Sequence, residues 1–291
     1  MNYIKWTTEL ELGIPFIDSD HRVLIRLLNQ VAACIEANEE STVLGSVISS
    51  LADYTVYHFE REERFQEIAN HSSLTEHKER HEELAEKVAA YKDAFLTAPQ
   101  GFSGDDLLTF LSKWLTDHIL GDDALLCQDC MGNIEAQAAA TRITLDGGYH
   151  LNWAAQRILV VEDNPNFQKL LTTVLKAGGV NRIQLTGDPY NALDRLSRAP
   201  VDLVLSDVLM DGMTGGDLAR QAFTVDPKVK IVFLSGLDEQ TARQRTGSIS
   251  HDAYIEKPIT PHTLFQTMAF VLANAAPPAS DTKTAQQLET Q

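Results

Sequence analysis

Seven side chains in the first half of the chain are of kinds that bind transition metals, and they fall at helical spacings. "HFERE" sets His58 four residues ahead of Glu62, and "HKERH" sets His77 four ahead of His81. Residues four apart stand about 40° apart around a helix axis, so each pair can reach inward together. His21 closes "IDSDH", and His118 and Asp123 bound "HILGDD". Five residues apart on a regular helix point about 140° away from each other, so a π-type widening at Gly121 is expected to bring His118 and Asp123 to one face. A single histidine, or "EREE" alone, is an ordinary solvated feature. Five imidazoles with two carboxylates exceed the four ligands that close a zinc site and suit two ions bridged by carboxylates.

A second group lies in the other half. Glu162 and Asp163 end "ILVVED", and Asp207 ends "DLVLSD". In an open parallel sheet the strands' carboxyl ends share one crevice, so three acids would converge there and repel unless they share a cation. Mg²⁺ is the hard, oxygen-seeking ion that fits. Ser235 in "FLSG" and Lys257 in "IEKP" would stand beside it, a hydroxyl and an ammonium able to hold phosphoryl oxygens. "CQDC" places Cys127 and Cys130 on one helix face, either as a redox-sensitive pair, as half of an intermolecular metal site, or as two small, partly buried residues.

Two kinds of scaffold must position these groups. From about residue 18 to 135, apolar residues recur every three or four positions in four stretches, such as "HRVLIRLLNQVAACIEAN", which predicts an up-down four-helix bundle. From 157 the pattern becomes short β-branched runs alternating with helical stretches, which predicts a doubly wound α/β fold around a five-stranded parallel sheet. The expected organisation is a multi-domain chain: a bundle over 1–135, a linker over 136–156 whose first part extends the fourth helix, an α/β domain over 157–276, and a disordered tail over 277–291.

With 291 residues and 44% hydrophobic content the chain can bury two cores. No stretch reaches the roughly 18 apolar residues of a membrane helix, and the first residues lack a basic start and apolar run, so the expected location is the cytoplasm, away from the membrane. Three cysteines cannot form a disulfide framework. A net charge of −17, from 24 basic and 41 acidic side chains, excludes nucleic acid as a direct partner.

The first half resembles a bacterial hemerythrin: a first-helix His, then His-x3-Glu, His-x3-His and His-x4-Asp, with Trp6 and "GIPFID" upstream. The resemblance implies an oxo- or hydroxo-bridged pair of non-haem irons. His77, His81 and His118 would hold one, His21 and His58 the other, and Glu62 and Asp123 would bridge them. It implies O₂ as the ligand at the position left open on the second iron, and Trp114, Leu115 and Ile119 as walls of the gas pocket. The second half resembles a response-regulator receiver domain, with a flavodoxin-like fold. That resemblance implies Asp207 as phosphoacceptor, Glu162, Asp163 and the Leu209 carbonyl as Mg²⁺ ligands, Ser235 and Lys257 as phosphoryl-binding groups, and Tyr254 as the switch aromatic. Two departures stand out: Asp211 replaces the usual proline after the acceptor strand, and "HDA" replaces the usual Gly-Ala before the aromatic.

These features fit two functions of different class. In one, a non-enzymatic O₂- or redox-sensing bundle is joined to a receiver in two-component signalling, with a sensor histidine kinase and a downstream signalling protein as partners. In the other, the bundle stores or delivers oxygen, or reduces peroxide or nitric oxide, under the receiver's regulation or localisation.

Overall fold

The computed structural model of the protein describes residues 3–125, 130–246 and 251–273. Its N-terminal half is built on α1 (Pro15–Glu36), α2 (Ser41–Ala69), α3 (Leu74–Thr97) and α4 (Gly104–Asp117). Helix α1 packs on α2 and α4, and α2 packs on α3. Local chemistry sets the ends. Asp18 accepts from the amides of Leu12 and Gly13 and so fixes the entry to α1, where Gly13 takes a φ of +79°. Ser103 caps α4 through the amide of Asp106, and Asn70 ends α2 in the left-handed conformation.

Beyond α4 the chain continues as a widened π-helical turn over His118–Asp123. The fourth helix does not run on into the start of the linker as expected. Gly132, with a φ of +83°, and Asn133, whose side chain accepts from the amide of Ala136, start a separate helix, α5 (Ile134–Ala140), packed against α2. The rest of the segment is tied down rather than loose. Buried Asp146 accepts from Thr144 Oγ1, the amides of Gly148 and Leu151, and Trp153 Nε1 at 2.7 to 3.2 Å. Trp153 in turn sets its edge on Phe265.

The C-terminal half alternates β1 (Arg157–Val161), α6 (Pro165–Ala177), β2 (Arg182–Thr186), α7 (Pro189–Arg198), β3 (Leu203–Asp207), α8 (Gly215–Val225), β4 (Lys230–Ser235), α9 (Glu239–Thr246), β5 (Ala253–Glu256) and α10 (Pro261–Ala273). The strands form one parallel sheet in the order β2-β1-β3-β4-β5. The runs of β1, β3 and β4 are mainly apolar because both faces are covered, whereas the edge strand β2 carries Arg182 and Gln184. Ile158, Val160, Leu203, Leu205, Val232 and Leu234 face one way and join a core that is continuous with that of the bundle. Leu159, Val161, Val204, Ile231 and Phe233 face the other. The two halves therefore share buried apolar surface. Among the described residues no helix is long and apolar enough to cross a membrane. The tail expected at 277–291 lies outside the described residues.

Candidate functional site

The bundle gathers all seven metal-type side chains in its interior, each buried. His21 comes from α1, His58 and Glu62 from α2, His77 and His81 from α3, and His118 and Asp123 from the π-helical turn. The wider turn places residues five apart on one face, as the spacing requires. Gly121 lies within it, yet a Cβ there would meet nothing within 4 Å, so the widening does not depend on space at the glycine.

The donor atoms fall into two groups that share Glu62. One contains Glu62, His77, His81 and His118, and the other His21, His58, Glu62 and Asp123. Glu62 Oε1 lies 2.9 Å from His77 Nε2, and Oε2 lies 3.2 Å from His58 Nε2. Asp123 Oδ1 lies 3.2 Å from His118 Nε2, and Oδ2 lies 3.0 Å from His21 Nε2. Both carboxylates therefore stand between the groups. Despite these separations the Nε2 atoms of all five histidines, Glu62 Oε2 and both Asp123 oxygens have no aligned hydrogen bond. Further donor pairs, His77 with Asp123 and His81 and His118 with Glu62, lie 3.8 to 3.9 Å apart. Buried polar groups aimed at one another without hydrogen bonds are costly unless a cation lies among them.

The electrostatics agree. Burial pushes His21 and His81 down to about 4, so both are neutral and their lone pairs are available. Burial would lower His118 too, but the nearby carboxylates of Asp123, Asp122 and Glu62 push it up to about 10. Burial opposes charge on Glu62, yet the nearby imidazoles of His118 and His77 hold it well below the usual carboxylate range. Burial and the Glu62 charge push Asp123 well above that range. Positive charge belongs between these two acids.

A supporting layer went unread in the sequence. Glu63 Oε1 lies 2.9 Å from His81 Nδ1, fixing which ring nitrogen faces the centre. Asp20 accepts from Tyr54 at 2.8 Å and from Arg61 at 2.7 Å, and its Oδ2 lies 3.8 Å from His58 Nδ1. Asp122 lies 3.7 Å from His118 Nδ1 and pairs with Arg80. Each of the three acids is adjacent in sequence to a metal-type residue, and that adjacency was the available signal. Phe59 stacks on His81 with centroids 3.7 Å apart, and Trp114 stacks on His118 at 5.1 Å. Leu115 and Ile119 are fully in the core. Cys130 is buried in a small cluster with Ile14, Ile17 and Phe65, whereas Cys127 lies outside the described residues.

At the carboxyl end of the sheet, Lys257 Nζ reaches Asp207 Oδ2 at 2.9 Å and Glu162 Oε2 at 3.0 Å, with its ammonium over the Phe167 ring. Asp207 Oδ1 accepts from the amides of Val208 and Leu209. Burial, helped by the Asp207 charge and opposed by Lys257, pushes Glu162 up to about 7. Burial would lower Lys257, but Glu162 and Asp207 outweigh it and raise it. Ser235 Oγ accepts from the Leu237 amide, and Tyr254 donates to the Leu237 carbonyl at 2.8 Å. A Cβ on Gly215 would lie 2.6 Å from the Asp207 carbonyl oxygen, so only glycine lets α8 start this close to the end of β3.

Glu162, Asp207, Leu237 and Lys257 line a cavity of about 430 Å³ with Asp163, Leu209, Ser235 and Gly236, and its opposite wall is Glu40, Thr42 and Val43 from the start of α2. Hydrogen bonds hold the halves together beside it. Glu39 accepts from Asn164 at 2.9 Å and Asn166 at 2.6 Å, Gln30 donates to the Asn166 carbonyl, and Asp53 accepts from both the amide and Nδ1 of His262 at 2.9 Å. No spacing rule pointed to these pairs, and His262 reads as an ordinary surface histidine in the sequence.

Comparison with known proteins divides at the same place. The family described as the hemerythrin HHE cation binding domain matches residues 12–128, and the response regulator receiver domain matches 158–269. The bacteriohemerythrin of Stenotrophomonas maltophilia (strain R551-3) is 37% identical over 123 residues, which is 42% of this chain and 78% of that one. A Pseudomonas aeruginosa (strain LESB58) bacteriohemerythrin is 33% identical over 124 residues, 43% of this chain and 79% of that one. The response regulator receiver protein CpdR of Brucella abortus is 35% identical over 81 residues, 28% of this chain and 67% of that one. A CheY-like receiver structure from Methanospirillum hungatei aligns over 41% of this chain and 94% of its own, with 23% identity and a TM-score of 0.37.

Proposed function

Because this chain belongs to the bacteriohemerythrins through its first half and to the response-regulator receivers through its second, we propose that it couples O₂ or redox sensing at a di-iron centre to a phosphorylatable receiver in two-component signalling. The observation that carries the reading is the convergence of buried, hydrogen-bond-starved donor atoms from all four bundle helices. His77, His81 and His118 would hold one iron and His21 and His58 the other, with Glu62 and Asp123 common to both. Bound iron supplies reversible one-electron chemistry toward dioxygen, and mixed imidazole and carboxylate ligation tolerates both ferrous and ferric states. The chain's part is to present buried imidazoles, those of His21 and His81 held neutral by burial, to fix the His81 ring through Glu63, and to exclude water with Phe59, Trp114, Leu115 and Ile119.

In the receiver, Glu162 and Asp163 would hold Mg²⁺ with the Leu209 carbonyl, and that ion neutralises charge on a phosphoryl group. Asp207 is oriented for phosphoryl transfer by the amides of Val208 and Leu209 and by Lys257. Ser235 and Lys257 stand where phosphoryl oxygens would lie, and the half-buried Tyr254 reports on Ser235 through Leu237. A histidine kinase is the fitting donor and a separate signalling protein the fitting recipient. Protein purified aerobically should contain about two irons per chain and absorb in the near ultraviolet. His77→Ala should lower iron content and thermal stability together, since metal binding is also folding free energy. Full iron retention with an unchanged melting temperature would refute the assignment.

A further inference from the structure

The wall that the bundle contributes to the acceptor cleft has a definite chemistry. Glu40, Thr42 and Val43 face Asp207, Ser235 and Lys257 across the cavity, and Gly236 packs closely on Thr42, since a Cβ there would lie 3.2 Å from Cγ2. The connection before α2 is held by Glu39, which clamps Asn164 and Asn166 immediately after the Glu162–Asp163 pair. The bundle residues lining the cleft are a carboxylate, a hydroxyl and an apolar side chain, with no Lys or Arg among them. A surface built to grip a phosphoryl group uses guanidinium or ammonium groups. Of the first-turn amides, those of Val43 and Leu44 are already taken, both donating to the Glu40 carbonyl.

We propose that the bundle is a phosphorylation-released cover of the acceptor cleft: residues 39–43 seat over Asp207, and a phosphoryl group formed there expels them. This rests on the reading of Asp207 as phosphoacceptor. Transfer from acetyl phosphate breaks the donor's P–O bond, forms a bond from an Asp207 carboxylate oxygen to phosphorus, and releases acetate. The single negative charge of the carboxylate becomes about two, with three acceptor oxygens in a space walled by Glu40. Beside Asp or Glu a phosphoryl group disrupts by like-charge repulsion. By linkage, whatever loosens the cover favours the phosphorylated state at equilibrium to the same degree, and an uncovered Asp207 is also more accessible to the donor.

The test uses the full, iron-loaded chain with acetyl phosphate and Mg²⁺, following label on Asp207 by mass and amide exchange at Val43, Leu44 and His262. Labelling should speed exchange at these amides at least several-fold, and Glu40→Gln should shrink that response. Glu39→Ala, which removes both clamp bonds, should raise the labelling rate several-fold. Label on Asp207 with unchanged or slower exchange, or equal labelling of the parent and Glu39→Ala chains, overturns the release while leaving the receiver reading intact. No label on Asp207 in either chain overturns the receiver reading and the release with it.

Discussion

Asp20 is the side chain whose loss should cost the bundle most per atom removed. It is almost wholly buried, receives Arg61 through both carboxylate oxygens and accepts the hydroxyl of buried Tyr54. Asp20→Ala leaves the guanidinium of Arg61, only 11% exposed, without its counter-charge. Breaking a buried pair in this way costs about 3 to 5 kcal/mol. Stranding the tyrosine hydroxyl adds about 1 to 3 kcal/mol, though the two losses overlap. Arg61 keeps its places over the rings of Phe16 and Tyr57, each 5.1 Å away, so the lower end applies, about 3 kcal/mol. Urea unfolding of the metal-free chain, followed by far-ultraviolet circular dichroism, measures it. Asp20→Asn keeps an acceptor for Tyr54 and should cost about half as much. Glu67→Ala removes only the exposed partner of Arg64 and should cost under about 0.5 kcal/mol. Because Asp20 also stands beside His58, its loss should weaken iron retention by about 10- to 100-fold. A cost below about 1 kcal/mol for Asp20→Ala, or iron retention equal to the parent's, would refute the argument.

Three further outcomes are expected. The hydrogen bond to Asp53, only partly offset by burial, raises His262 above its ordinary value, so the charged form stabilises docking. That contribution is complete below about pH 6.5 and fades as pH rises through the higher folded value, and a parent stability profile parallel to that of His262→Gln would contradict it. Gly178→Ala places a Cβ within the Phe265 ring, so urea unfolding should show a loss of about 1 to 3 kcal/mol, and a neutral result would mean that the ring is not locked there. Leu209 and Leu237 line the cleft and cannot orient an attacking water, so phosphoryl loss from Asp207 should be slow, and Leu209→Asn with Leu237→Glu should speed it about 10-fold or more; a parent half-life of seconds would refute this.

Period and residue type settled much of this molecule before any coordinate. Spacings of four at His58 and Glu62, and at His77 and His81, can only point pairs to one helix face, and strands apolar on both sides can only lie inside a covered parallel sheet. Even the five-residue step from His118 to Asp123 announced a widened turn, because a regular helix would have sent one of the two to solvent. What the sequence left open is contact between residues far apart along it. Asp20 meets Arg61 across 41 residues, Glu39 meets Asn166 across 127, and Asp53 meets His262 across 209. Neither partner in such a pair leaves a periodic mark, since one hydrogen bond constrains a single position rather than a face. The ordered strap around Asp146 and Trp153 is of the same kind, its polar groups satisfied by a buried carboxylate instead of a repeating ladder. The placement of Glu40 and Thr42 over Asp207 depends on how two separately legible halves pack, and packing is decided by the shape of the surface each buries against the other.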